Sequence, residues 1–360
     1  MAAVLDVNKE FSPKRLEELD TNLQFEEELI EDNQNGIRDP RLGKGPEGNM
    51  STLEYRVECT SLPTSTSQFI NNLLMRDKMS REQEYKFPDL LTTFPAPFVA
   101  HVQLNRPKNY NSFSPDVFYS LARVFDKLSV DENVRAILIS GVGPHFSAGL
   151  DVKVASSGGS VSQSSKTDDV ARRAWKIKRH LFEYQDGINA IERCEKPVIC
   201  LTHGVTFGAA IDLAVAADIR YCAKGVRFSI KEVDVGLAAD VGTLSRLPKI
   251  GVSYSWAKEV VYTAREFGAE EAEKVGLVSR VAESKEQLLE QGLELANLIA
   301  TKSPVAVQGS KALLDFSRDR PVEDGLRYTA AWNAAMVQSD DVKKAMMSGI
   351  KKTKPKFEKL

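Results

Sequence analysis

The chain has 360 residues, of which 42% are hydrophobic and 27% charged, with a formal net charge of −2. That is enough apolar material for a real core, which excludes a mini-protein and a wholly disordered chain, and the missing basic excess argues against a dedicated nucleic-acid binder. No apolar run approaches the roughly 20 residues of a spanning helix, so no membrane span is expected.

Read from the amino terminus, residues 1–50 hold 12 acidic and 6 basic side chains, so the remainder is mildly basic. Residues 1–86 show poor hydrophobic periodicity. A short helix after Ser12-Pro13, an acidic stretch at 25–32 and an Asn/Gly/Pro-rich run at 33–49 give a mostly disordered or loosely attached extension. It is too acidic for an ordinary mitochondrial presequence. The pattern then changes. Residues 98–105 alternate like a strand, and 115–128 place Val117, Phe118, Leu121, Val124, Phe125 and Leu128 on one helical face. Residues 134–141 form a β-branched strand ending in Gly. Residues 156–165 are a Ser/Gly-rich loop, and 170–191 carry a long helical period. An apolar strand at 196–204, a small-residue helix at 208–217 and short strands at 219–223 and 227–230 follow. From about Trp256 the chain is mainly helical, with Ser284 and Ser303 as caps. Alternation of strands and helices predicts an α/β fold built from βαβ-type units. The four cysteines, Cys59, Cys194, Cys200 and Cys222, form no CxxC pair and are expected to be buried thiols; no metal site is expected.

Three segments carry chemistry. His145–Asp151 and His203–Asp212 are strand-to-turn passages of small residues, which free backbone N–H groups to point outward. Two such groups aimed at one point make an oxyanion hole, and a helix following the second adds its positive N-terminus. Either turn alone could equally be a packing connection. The third segment, 231–242, sets Glu232, Asp234 and Asp240 among Val, Leu, Ala and Gly. Desolvated carboxylates titrate nearer neutrality, as acid–base catalysis requires. Asp234, before Val-Gly, reads as a turn residue.

FSAGLD (146–151), HGVTFGAAID (203–212) and KEVDVGLAADVGTLSRLP (231–248) resemble the motifs of the enoyl-CoA hydratase/isomerase (crotonase) superfamily, and among its branches those of the dienoyl-CoA isomerases. Asp240, eight residues after Glu232, carries the finer resemblance; hydratases usually have Gly there, and Glu in place of Asp212. The resemblance implies a crotonase-like spiral of ββα units over 87–290 and a C-terminal helical trimerisation region with a targeting tail over 291–360. It also implies a homotrimer or hexamer acting on an acyl-CoA thioester, with no cofactor beyond the CoA of the substrate. The matching positions make the N–H groups of Leu150 and Ala209 the oxyanion hole. Ala148, Gly149, Leu150, Asp151, Val152, Lys153 and Gly208 become substrate-binding, and Asp212, Glu232 and Asp240 the acidic trio. The family usually has three glycines where this chain has Gly208-Ala209-Ala210; Ala keeps the N–H but needs room for its methyl and a negative φ.

The implied reaction turns 3,5-dienoyl-CoA into 2,4-dienoyl-CoA in the β-oxidation of unsaturated fatty acids. Glu232 serves C2, Asp240 serves C6, and Asp212 contributes polarity and positioning. Hydration of enoyl-CoA, or a non-catalytic crotonase-fold binding protein, are the other functions such a chain could have. The terminal Glu358-Lys359-Leu360 resembles the peroxisomal Ser-Lys-Leu address, which gives a peroxisome as the expected location, an import receptor as a partner, and the mitochondrion as the alternative.

Overall fold

A computed structural model describes residues 81–153 and 169–360. Most of the expected N-terminal extension, Cys59 and the Ser/Gly-rich loop at 156–165 lie outside them. Residues 81–86 are described, and they pack: Tyr85 is buried, stacks edge-on against Phe94 and donates to Asp131, which also takes Arg81. The packed chain therefore starts upstream of Phe87, because Tyr85 is part of the core.

The main sheet is ordered β1-β2-β3-β4-β6-β8. Its strands are β1 (Leu90–Ala96), β2 (Val99–Leu104), β3 (Ala136–Gly141), β4 (Val198–Thr202), β6 (Ile219–Ala223) and β8 (Arg280–Ala282). All neighbours are parallel except β1, which turns back antiparallel on β2. A second, smaller sheet pairs β5 (Val205–Phe207) with β7 (Arg227–Ser229) in parallel. Single bridges, Ser147–Thr206 and Phe228–Phe267, continue it on either side. Successive strands thus alternate between sheets, β4 to β5 and β6 to β7. That alternation is the expected spiral of ββα units.

The helices obey the pattern in the sequence. α1 (Pro115–Val130) buries Val117, Phe118, Leu121, Val124, Phe125 and Leu128. α2 (Val170–Arg193) buries only its second half, from Tyr184 onward. α3 (Ala209–Ala216) is buried on every side, which its Ala-rich composition permits. After β7 come α4 (Thr243–Arg246), α5 (Tyr254–Thr263) and α6 (Ala269–Lys274), and the last two close the second sheet around Phe228 and Phe267. α7 (Lys285–Ala300) and α8 (Pro304–Arg318) begin at the expected caps, where the hydroxyls of Ser284 and Ser303 accept the amides of Gln287 and Ala306. α9 (Val322–Met336) and α10 (Asp340–Lys351) complete the chain.

One strand escapes the sequence pattern, and one helix runs across an expected boundary. β1 was not visible in the sequence as a strand, because Thr92 and Pro95 interrupt the apolar alternation. An edge strand tolerates both, since Pro removes no ladder hydrogen bond on the outer side. The boundary at 290/291 falls inside α7, whose Leu288, Ala296 and Ala300 share a core with Val99, Leu138 and Leu201 of the sheet. The helices that stand off from the sheet begin at α8. Cys194, Cys200 and Cys222 are buried free thiols, as expected.

The C-terminal tail is fastened to the body. Buried Arg135 donates to the carbonyl oxygens of Ala300, Phe357 and Glu358 at 3.0, 2.7 and 3.0 Å. Lys344 pairs with Glu358, and Lys359 with Glu132.

Candidate active site

The site forms where the two strand-to-turn passages meet the segment after β7. Beyond β3 the chain folds into the loop bearing Ala148-Gly149-Leu150. Phe113 clamps this loop from both sides: its N–H donates to Gly149 O at 2.7 Å and its carbonyl accepts Asp151 N–H at 3.0 Å. The Ala148 N–H donates to Tyr110 O. The Asp151 side chain turns inward to Arg106, at 3.1 Å, and accepts the Ser112 hydroxyl. Arg106 also reaches Asp89 and the carbonyl of Ser112. Asp151 therefore holds the loop from inside, while Val152 and Lys153 lie exposed beyond it.

Gly149 is forced by geometry. Its φ is +84°, and a Cβ there would lie 2.5 Å from the carbonyl oxygen of Phe207 and 3.3 Å from the amide nitrogen of Ala209. The first loop thus lies directly against the second, and the amides of Leu150 and Ala209 enter one region. Among the described residues neither N–H donates to an acceptor. Ala209 opens α3, so its N–H is one of the unpaired first-turn donors, aided by the helix's positive end. The alanines fit. Both take negative φ within α3, with Ala209 5% and Ala210 0% exposed.

β7 delivers Glu232. The Gly208 N–H donates to Ser229 O at 2.9 Å, tying the end of β7 to the start of α3. Three residues on, the chain enters a 3-10 turn, Glu232–Val235, closed by Gly236 in the left-handed region. Gly208, at φ +53°, would with a Cβ come within 3.3 Å of Glu232 Oε1. The Glu232 carboxyl therefore rests on the bare face of Gly208, beside Gly149. Its Oε2 is buried and has no hydrogen-bond partner. Burial, then the negative charges of Asp212 and Asp240, push its pKa up to about 7. Asp234 points outward and pairs with Lys231, a turn residue as expected.

Asp212 lies on α3 and is 1% exposed. Its Oδ1 accepts the N–H of Thr243, the first residue of α4, at 2.5 Å. Burial raises its pKa to about 6, against the lowering effect of Thr243. Asp212 thereby ties α3 to the segment that carries Asp240. Asp240 is half-buried, and burial raises its pKa as well. Gln185 of α2 holds its backbone carbonyl at 2.7 Å. Beside Asp240 opens a polar cavity of about 300 Å³, walled by Gln185, Asn189, Glu192 and Arg246 among others. Arg246 is buried in it, bonded to Asn189 and to Glu192 at 2.6 Å each. Glu232 and the oxyanion amides do not line this cavity, so Asp240 stands between it and the site.

The expected residues thus converge: Gly149, Leu150, Gly208, Ala209, Asp212, Glu232 and Asp240. Several supporting residues escape the sequence reading, namely Arg106, Asn111, Phe113, Gln185 and Arg246. Asn111 had a signal in the turn-forming run after β2. It is buried with φ +53°, and its side-chain amide donates to the carbonyls of Val142 and His145 at 2.9 Å each. Asn is one of the few residue types to which such a backbone comes easily. Around the site's rim, Leu150, Val152, Val233, Val235 and Leu237 expose apolar surface.

The family profile described as Enoyl-CoA hydratase/isomerase matches residues 96–359. The mitochondrial Delta(3,5)-Delta(2,4)-dienoyl-CoA isomerase of Homo sapiens is 45% identical over 265 residues, covering 74% of this chain and 80% of the human protein. The peroxisomal Delta(3,5)-Delta(2,4)-dienoyl-CoA isomerase of Arabidopsis thaliana is 42% identical over 278 residues, covering 77% of this chain and 99% of its own. Among solved structures, an enoyl-CoA hydratase from Bacillus anthracis aligns with a TM-score of 0.67 at 23% identity, over 75% of this chain and 99% of that one. That likeness speaks for the fold.

Proposed function

Since the chain belongs to the enoyl-CoA hydratase/isomerase family, we propose that it isomerises 3,5-dienoyl-CoA to 2,4-dienoyl-CoA with Glu232 and Asp240 as its two acid–base groups. The observation that carries this reading is the presence of two carboxyl groups at one site, both with raised pKa, beside a pair of unengaged amides.

A C2 proton of the thioester is weakly acidic because the charge left behind resides on the thioester oxygen as an enolate. With that oxygen between the N–H groups of Leu150 and Ala209, the charge is stabilised as it forms; loss of one such donor costs about 3–4 kcal/mol. Glu232, with its pKa near 7, is ionised enough at neutral pH to take the proton and basic enough to hold it. The negative charge spreads along the diene to C6, where the Asp240 carboxyl, its pKa raised by burial, serves as the group that delivers a proton. The polar cavity behind Asp240 gives it a route to solvent for reprotonation. Asp212 keeps the Glu232 pKa high and fixes the Asp240 segment through Thr243. The exposed apolar rim suits an acyl chain, and the mildly basic body an anionic CoA. The scheme uses no cofactor beyond the CoA of the substrate.

The exposed apolar residues of α9 and α10, including Val322, Leu326 and Ile350, suit assembly into a trimer, or a hexamer of two. A peroxisomal location through Glu358-Lys359-Leu360 accords with the Arabidopsis relative, a mitochondrial one with the human relative. Reading of the tail by an import receptor requires its release from Arg135. A fluorescent fusion lacking the last three residues tests this; unchanged punctate import would count against it.

The activity is tested by following ultraviolet absorbance with a 3,5-dienoyl-CoA and with crotonyl-CoA. Rapid conversion of the former is expected. Hydration of crotonyl-CoA with no dienoyl conversion would reject the proposal.

A further inference from the structure

The first half of α2 serves neither the core nor the site described above. Residues 169–179 are exposed on every side, so about three turns of helix extend beyond the packing that holds the second half. A helical segment this short is marginal without a surface to lie on. Its composition is one-sided: residues 170–182 contain Arg172, Arg173, Lys176, Lys178 and Arg179 and no carboxylate. Asp169 caps the helix and pairs with Arg172. Arg173, Lys178 and Arg179 have no carboxylate partner among the described residues.

Set among these cations are large apolar side chains facing water. Trp175 is 61% exposed and Phe182 55%. The two are seven residues apart, hence two turns along the same side of the helix. Lys178 lies 5.8 Å from the Trp175 ring and 5.5 Å from Phe182, and Arg179 lies 5.3 Å from Trp175. Aromatic rings interleaved with unpaired cations on one side of a projecting helix are the arrangement of an interfacial membrane helix. The rings enter the headgroup region while the cations meet lipid phosphates.

We propose that residues 170–182 of α2 dock the protein on an anionic lipid surface. Charge complementarity selects this occupant. A second copy meeting this face about a two-fold axis would set cations against cations. A convex single helix also offers no pocket for the anchoring side chains that dominate protein–protein affinity, whereas a bilayer requires none. The docking would hold a CoA-thioester enzyme at the surface into which long acyl chains partition.

The test is co-sedimentation of the full-length protein with vesicles of phosphatidylcholine alone and of phosphatidylcholine mixed with phosphatidylglycerol. Binding to the anionic vesicles is expected to be about tenfold stronger or more. It should be lost at about 1 M salt, where the Debye length falls to roughly 3 Å. Lys178→Glu/Arg179→Glu should abolish it, and Trp175→Ala/Phe182→Ala should weaken it at least severalfold. Both double variants should keep the turnover of the wild type on soluble substrate, which also reports their folding. Equal binding to both vesicle types, binding indifferent to both double variants, or no vesicle binding at all, as an acidic protein partner would give, overturns the proposal.

Discussion

Glu232→Gln should make the protein more stable at pH 8 while disabling it. The Glu232 carboxyl titrates at about 7 in the folded protein against an ordinary 4.5, first because it is buried and second because Asp212 is close. Below pH 4.5 both folded and unfolded chains hold the proton, and the group costs nothing extra. Between pH 4.5 and about 7 the folded state keeps a proton that the unfolded chain has released, so stability declines as pH rises. At about 1.4 kcal/mol per pH unit, the loss reaches about 3 kcal/mol by pH 8. Gln removes the charge and keeps the shape; its amide replaces an oxygen that has no hydrogen-bond partner, so the cost of an unsatisfied neutral group offsets part of the gain. For a domain of this size, about 2–4 °C per kcal/mol turns the net gain into a rise of several degrees. Thermal unfolding of wild type and variant at pH 5 and pH 8 measures it. The variant should melt higher at pH 8 and show far less advantage at pH 5. An equal difference at both pH values, or a variant less stable at pH 8, would show that the carboxylate is held by favourable bonds and is not strained by burial.

Three further outcomes follow from the same geometry. Gly149→Ala places a methyl 2.5 Å from the Phe207 carbonyl at φ +84°; it should cost about 2–5 kcal/mol of stability and displace both amides, so Tm and kcat fall together, and an active, equally stable variant would contradict the loop-to-loop contact. The acidic limb of the pH–rate profile should lie near 7, and Asp212→Asn should move it to lower pH, since a negative neighbour that holds the Glu232 pKa up is gone; a limb unmoved or shifted upward would remove Glu232 from the role of base. Arg135→Ala should free the tail, so that carboxypeptidase trims Leu360 at least about tenfold faster than in wild type, as expected when bonds from a charged donor worth roughly 1.5–3 kcal/mol are lost; equal trimming rates would mean the tail is not fastened.

Much of this architecture was legible in the sequence because its buried faces are periodic. The six apolar residues of α1 repeat at helical spacing, β3 is a short, fully buried run centred on Ile-Leu-Ile, and Ser284 and Ser303 announce α7 and α8. The chemistry-bearing segments could be located because turns of small residues follow strands. Their convergence could not be derived locally. Glu232 reaches the site because Gly208 has no side chain and because Ser229 accepts its N–H, a link between residues 21 apart along the chain. Asp240 depends on Gln185, 55 residues away, and Arg246 on Glu192, 54 away. Such partners follow no period, so no pattern in the sequence marks them. Asp151 adds a further case: the motif marks it as substrate-binding, and only the structure shows that its side chain also fastens the loop to Arg106.

The division of labour between Glu232 and Asp240 is tested most directly by incubating Asp240→Asn with a 3,5-dienoyl-CoA in D2O and following deuterium by NMR alongside the absorbance of the product. With Glu232 and both amides intact, C2 should still exchange its proton for deuterium, while conversion to 2,4-dienoyl-CoA falls by at least about a hundredfold, in the range of a lost acid–base group. Full isomerase turnover in this variant, or loss of C2 exchange together with turnover, would contradict the assignment of Asp240 to the far end of the diene.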